Sequence, residues 1–201
     1  MPPSFKYEIE AFALGFGFIA GIDEVGRGCL AGPVVAAAVI LPKSHTISDL
    51  NDSKLLSAQK REELSERIYQ EAVSIGIGSV SPELIDEMNI LQASMLAMKK
   101  AVAVLQPKPD FLLVDGNLKQ LMDIPQKSII QGDKLCQSIA AASIVAKVFR
   151  DRLMKDLHER YPHYNFHSNK GYPTTVHLKA LREYGMTEIH RKTFRGVKEL
   201  L

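Results

Sequence analysis

Residues 18–42, FIAGIDEVGRGCLAGPVVAAAVILP, constrain this chain more than any other stretch. Two apolar runs, each long enough for one strand of a buried sheet, flank an acid pair and a turn containing three glycines. Asp23 and Glu24 therefore stand at the mouth of a core strand. Adjacent carboxylates repel, and burying even one unpaired charge is costly, so something must hold them there. A metal ion is the first candidate.

The organisation of the rest follows from periodicity and turn residues. Residues 16–23 and 33–41 read as the two strands, and 73–80 (VSIGIGSV) as a third. A polar helix is expected over 57–69, and another opens at Ser81 with Pro82 in its first turn. Residues 90–105 carry Leu91, Met95, Met98, Val102 and Leu105 at helical spacing. Strands follow at 111–114 and 128–131, then a long helix over 135–160 and a last one over 175–184. Three strands in hairpin-like succession, then strands alternating with helices, indicate a mixed α/β sheet. No repeat or linker divides the 201 residues, which are expected to form one domain.

The segment FLLVDGN repeats the opening pattern, because an apolar strand ends on Asp115 and turns on Gly116. In open α/β sheets functional groups collect beyond the carboxyl ends of strands. If the strands ending at Asp23 and Asp115 are neighbours, about 4.8 Å apart, their carboxylates approach closely and call for a cation. Oxygen-only ligands indicate Mg²⁺ or Mn²⁺ rather than zinc. A third contribution is expected from the long helix. Its stretch IAAASIVAKVF is apolar nearly all round, and Asp151 shares the inward face of Ile144 and Val148. A salt bridge to Lys147 or Lys155, four residues away on either side, is the competing reading of Asp151.

Charge is distributed unevenly. Residues 147–201 hold 12 Lys/Arg against 6 Asp/Glu, within a net charge of +2 for the whole chain. With Tyr161, Tyr164, Phe166 and Tyr172 interleaved, this basic third suits a polyanion, or else is a solvated helical face. Carboxylates beside such a flank suggest two-metal phosphodiester hydrolysis. No nucleophile elbow or phosphate-cradling Gly-rich loop offers another chemistry, and His158, His163 and His167 lack the companions a zinc site needs. Two cysteines, Cys29 and Cys136, fit packing roles in a reducing cytosol. The start MPPSFKYEIE lacks a basic signal-like region, and the apolar stretch from Ala11 to Ile22 is short of the ~20 residues that span a bilayer, so a cytoplasmic protein is expected.

The residues that carry these readings resemble a known family, ribonuclease HII. GIDEVGRGCLAGPVVAAAVIL, NDSKLL, LLVDG, GDKLCQSIAAASIVAKVFRDRLM and YPHYNFHSNKGYPTTVHLKAL occur in family order over roughly residues 20–195. The resemblance implies a ribonuclease H-like fold with a five-stranded mixed sheet and a basic helical C-terminal extension over roughly 160–201. It implies catalytic and metal-binding roles for Asp23, Glu24, Asp115 and Asp151, with two Mg²⁺ or Mn²⁺ ions. It implies substrate contacts by Gly26, Arg27, Gly28, Lys54, Lys170 and Tyr172. Glycines let main-chain groups approach a ribose and bond its 2′-OH, the group that tells RNA from DNA. Tyr172 matches the tyrosine that packs against the sugar on the 3′ side of the cut.

The implied activity is endonucleolytic cleavage of RNA in RNA–DNA hybrids, and of single ribonucleotides embedded in duplex DNA, leaving 3′-hydroxyl and 5′-phosphate ends. Its implied setting is ribonucleotide excision and replication, as a monomer with no membrane partner. Leu55 stands where the family usually has a second lysine, and the tail keeps His190, Arg191 and Phe194 without the prolines common there. A junction-resolvase-type nuclease of the same fold and a non-catalytic hybrid-binding protein are the alternatives.

Overall fold

The computed structural model describes residues 2–44 and 47–201. A helix α1 (Lys6–Ala13) precedes strands β1 (Ile19–Val25) and β2 (Val34–Ile40). Then follow α2 (Ala58–Glu71), β3 (Ser74–Val80), α3 (Pro82–Met88), α4 (Ile90–Ala103), β4 (Phe111–Asp115) and β5 (Gln126–Ile129). The chain continues through α5 (Gly132–Leu135), α6 (Gln137–Arg160), α7 (Phe166–Asn169) and α8 (Thr175–Tyr184). Local chemistry sets several boundaries. Ser57, Ser81 and Thr174 cap α2, α3 and α8 by accepting from Lys60, Leu84 and His177 N–H groups. Asn89, at φ +72°, separates α3 from α4 and caps the latter.

The sheet has the order β3-β2-β1-β4-β5. β1, β2 and β3 pair antiparallel, whereas β4 runs parallel to β1 and β5 parallel to β4. The ribonuclease H-like mixed sheet implied by the sequence is the one observed. Alternate residues face alternate layers. Ala20, Ile22, Leu112 and Val114 pack against Ala97, Met98 and Val102 of α4, while Ala37 and Val39 pack with α6 and α2 on the other side. At Gly21 the backbone of α6 comes so close that a Cβ would stand 2.1 Å from Ser138 C. α6, about 36 Å long at 1.5 Å per residue, then runs off the sheet. There Met154 joins Leu30, Tyr164, Phe166, Leu181 and Val197 in a separate cluster. Among the described residues no helix is long and apolar enough to cross a membrane.

Two expectations shift. The first strand starts at Ile19 rather than 16 and runs on to Val25, because β2 pairs with it as far as Val25 opposite Val35. The residues before it are divided by Gly15, at φ +94°, between the end of α1 and the approach to β1. The short strand expected at 128–131 lies at Gln126–Ile129, in register with β4.

Helix α1 carried no sequence signal, and its reason is tertiary. Glu8, 1% exposed, accepts at Oε1 from the Ser138 N–H (2.8 Å) and Ser138 hydroxyl (2.7 Å). It thus caps α6, whose own N-cap residue, Cys136, offers no side-chain cap. The Cys136 thiol lies 3.1 Å from the same oxygen, and burial together with that carboxylate pushes it well above the usual thiol range. Glu8→Ala leaves the Ser138 N–H unsatisfied in the interior. We expect it to lower unfolding free energy by about 1–3 kcal/mol, measured by urea titration; an unchanged midpoint would show that α1 does not cap α6.

Candidate active site

Ile22 lies opposite Val114 in the parallel pairing of β1 with β4, so the next residue of each strand is an acid. Asp23 and Asp115 therefore reach the same sheet edge, on the face that α6 covers. Asp23, 7% exposed, accepts from the Glu24 N–H (2.8 Å) and from the Ser143 hydroxyl. Burial, with Glu24 and Asp115 close by, holds its carboxyl well above the usual carboxylate range. Burial likewise raises Asp115, opposed by the Gly132 N–H at 2.7 Å and reinforced by Asp133. Glu24 is raised by burial despite the Arg27 guanidinium 2.9 Å away. Three acids thus resist ionisation at one place.

All the residues expected to read the substrate except Lys170 share this cleft, about 260 Å³ in volume. Asp23, Glu24, Gly26, Arg27, Gly28, Lys54, Asp115 and Tyr172 line it, with Ser143 and Lys147. The connection from Gly26 to Pro33 is held by two fully buried arginines. Gly26, at φ +90°, has no room for a side chain, since a Cβ would stand 2.2 Å from Arg150 Nε. Arg150 donates to the carbonyls of Pro33, Ala31 and Lys170, at 3.0, 3.1 and 2.8 Å. Arg191 donates to the carbonyls of Gly26 (2.6 Å), Arg27 (2.8 Å) and Gly32 (2.9 Å). In a trans peptide the N–H points opposite the carbonyl, so the N–H groups of Arg27 and Gly28 are turned away from Arg191. A Cβ on Gly28 would lie 3.9 Å from Tyr172 Cε1, which places the tyrosine ring beside the turn.

Two expected site residues lie elsewhere. Asp151 forms the ion pair foreseen with Lys147 (2.6 Å) and also faces Arg61 (4.0 Å). It does share the face of Ile144 and Val148, but that face packs with Leu64 and Ile68 of α2, and Asp151 lines a depression other than the cleft of the strand-end acids. Lys170 lies with Asp151 in a separate depression lined also by Arg61, Arg152, Lys155 and His167, and donates to the His167 carbonyl at 2.7 Å. Conversely, sequence reasoning missed Asp133. It is 5% exposed in α5, acts on Asp115, and lies 3.4 Å from Lys54, which also feels Asp23. The available signal was a third strand end, β5, followed by Gly132 and an acid.

Oxygen donors alone, crowded together and raised in pKa by burial and by neighbouring acids, are chemically suited to a hard divalent cation. Among the described residues no three His, Cys, Asp or Glu side chains are yet gathered into an ion cage. Glu24 is drawn onto Arg27 and Asp133 onto Lys54.

A ribonuclease H-like sheet with carboxylates at its adjoining strand ends places the chain among the ribonuclease H-type enzymes. A model of the family described as ribonuclease HII matches residues 20–197. A ribonuclease HII of Geotalea uraniireducens (strain Rf4) is 54% identical over 198 residues, 98% of this chain and 92% of that one. One from Bacillus cytotoxicus is 54% identical over 196 residues, covering 98% of this chain and 75% of the relative. Among solved structures, the ribonuclease H2 from Pyrococcus horikoshii OT3 has a TM-score of 0.77 at 26% identity, covering 92% of this chain and 97% of that one. The RNase HII of Archaeoglobus fulgidus, solved in complex with PCNA, also has a TM-score of 0.77, at 28% identity over 89% of this chain and 96% of that one. The chain belongs to the ribonuclease HII family, endonucleases acting on RNA in RNA–DNA hybrids.

Burial of the Asp23 carboxylate beside Glu24 and Asp115 has a measurable consequence. In chelator, Asp23→Asn relieves a buried carboxylate and is expected to stabilise the fold by about 0.5–2 kcal/mol, as active-site substitutions often do. Thermal melts with and without Mg²⁺ test this; a less stable variant in chelator would show that the acids are not in conflict.

Proposed function

We propose that this protein cuts the RNA strand of RNA–DNA hybrids and also single ribonucleotides within duplex DNA, with Asp23, Glu24, Asp115 and Asp133 holding two divalent cations, Mg²⁺ or Mn²⁺. The observation that carries the reading is the meeting, in one cleft, of the acids on β1 and β4 with the glycine turn at 26–28 and the Tyr172 ring. Ions held by these acids would supply an activated water and neutralise charge at the phosphate. The protein's own groups do the rest. Arg27 and Lys54, which here pair with Glu24 and Asp133, are the cations of the cleft suited to phosphate oxygens, and ions held by those acids would leave both free for that role. The outward N–H groups of Arg27 and Gly28 meet the 2′-OH, while Tyr172 rests on the sugar beyond the cut. Cleavage on the 5′ side of the ribonucleotide leaves 3′-hydroxyl and 5′-phosphate ends. Lys170, beside Arg61 and Lys155, contacts the flanking backbone, where phosphate contacts position without reading sequence. Asp151 serves by neutralising Lys147 and Arg61. Repair of embedded ribonucleotides in the cytoplasm, by a monomer, is the setting this activity fits.

The test is metal-dependent cleavage of a duplex containing one ribonucleotide, with an all-DNA control. Asp115→Asn should lower turnover by about a thousandfold, equivalent to roughly 4 kcal/mol at the transition state, while the fold stands. Near-normal cleavage by this variant at saturating Mg²⁺ would sink the two-metal assignment. Tyr172→Ala should lower the ratio of single-ribonucleotide to uniform-hybrid activity by about ten- to a hundredfold, the value of a ring contact of roughly 1–3 kcal/mol. An unchanged ratio removes Tyr172 from junction reading.

A further inference from the structure

Two histidines outside the cleft are buried side by side, His177 at 0% and His190 at 1% exposure. His177 Nδ1 lies 2.9 Å from the Tyr172 carbonyl oxygen, and His177 Nε2 lies 3.1 Å from His190 Nε2. His190 Nδ1 accepts from the Thr187 N–H at 3.0 Å. Each end of this chain fixes a proton independently. A backbone N–H can only donate, so His190 Nδ1 is bare and its proton sits on Nε2. A carbonyl can only accept, so His177 carries its proton on Nδ1 and its Nε2 is bare. Where the rings meet, one donor therefore faces one acceptor. That pairing, fixed by the Thr187 N–H at one end and the Tyr172 carbonyl at the other, requires both rings to be neutral. Burial accords with that, lowering His177 and bringing His190 down to about 4.

The chain ends on the tyrosine of the cleft. The Tyr172 N–H donates to Asn169 O (2.9 Å), and its carbonyl accepts from both Thr174 N–H (2.8 Å) and His177. Its backbone is thus fixed on both sides, which restricts the rotamers open to its ring. His190 is also followed directly by Arg191, the clamp on the turn at 26–28.

We propose that His177 and His190 are positioning residues that fix Tyr172 relative to the turn at 26–28, so that residues 187–191 govern preference for a ribonucleotide–deoxyribonucleotide junction without touching substrate. This rests on the junction role of Tyr172 proposed above. A plain packing role for the pair would affect stability and both substrate types alike.

The experiment compares kcat/KM on a single-ribonucleotide duplex and on a uniform RNA–DNA hybrid. His190→Ala is expected to lower the ratio roughly tenfold, and the double variant with Tyr172→Ala to lower it no further than Tyr172→Ala alone. His190→Gln, whose amide N–H can stand where Nε2–H stands, restores the ratio. An unchanged ratio in His190→Ala, or additive losses in the double variant, overturns the proposal. If Tyr172→Ala itself leaves the ratio unchanged, the junction reading fails and the relay with it; if only the histidine variants leave it unchanged, the relay alone fails. Should the variants not fold, ¹⁵N spectra of the native protein at neutral pH decide: Nδ1–H at His177 and Nε2–H at His190 are expected, and any other pair of tautomers overturns the relay.

Discussion

Because β1 and β4 run parallel with Ile22 opposite Val114, the next residue of each strand brings a carboxylate to one sheet edge, and that concentration of charge governs what surrounds it. Strand spacing leaves the two acids little freedom to separate. The protein answers with hydrogen bonds from Ser143 and the Glu24 N–H to Asp23, from Gly132 to Asp115, and with Arg27 and Lys54 placed against the outer acids. These offset only part of the cost of burying charges close together, since Asp23, Glu24 and Asp115 all stay raised, by burial first and by neighbouring acids second. A site left in that condition favours hard cations.

The second constraint is the turn between β1 and β2. Its shape does not come from its own sequence alone, because two buried guanidinium groups occupy its carbonyls. Burial brings Arg191 down to about 10, which leaves it charged at neutral pH. A charge held at full burial by carbonyl oxygens is costly to misplace, and the surrounding backbone is correspondingly over-determined. The consequence reaches the cleft: carbonyls drawn inward leave peptide N–H groups facing the other way. The orientation of these main-chain donors in the cleft then depends on side chains from the far end of the chain.

α6 connects the two constraints. Its first turns lie on the sheet over Gly21 and carry Ser143 beside Asp23; its later turns carry Arg150 to the turn and Met154 to the C-terminal cluster. The cap supplied by Glu8 fixes where this helix begins. A shift at its start would therefore be felt at both the acids and the turn, since packed interiors transmit displacement.

The apolar runs, the strand-end acids Asp23 and Asp115 and the caps Ser57 and Ser81 were legible in the sequence, because strand alternation and capping are local chemistry. The glycine turn and Tyr172 were legible by resemblance, and the cleft brings them together. Asp151 shows the limit: helical spacing correctly gave its inward face, but only the packing of α6 on α2 decided that this face meets Arg61 rather than the acids. Asp133 was hidden for the converse reason, since a four-residue helix has no periodicity to read and its neighbours come from β4 and the loop at Lys54. Helix α1, the clamps of Arg150 and Arg191, and the pairing of His177 with His190 depend on contacts between residues far apart in the chain. A sequence states which groups can donate, accept or carry charge; which of them meet is decided by the tertiary packing of its strands and helices.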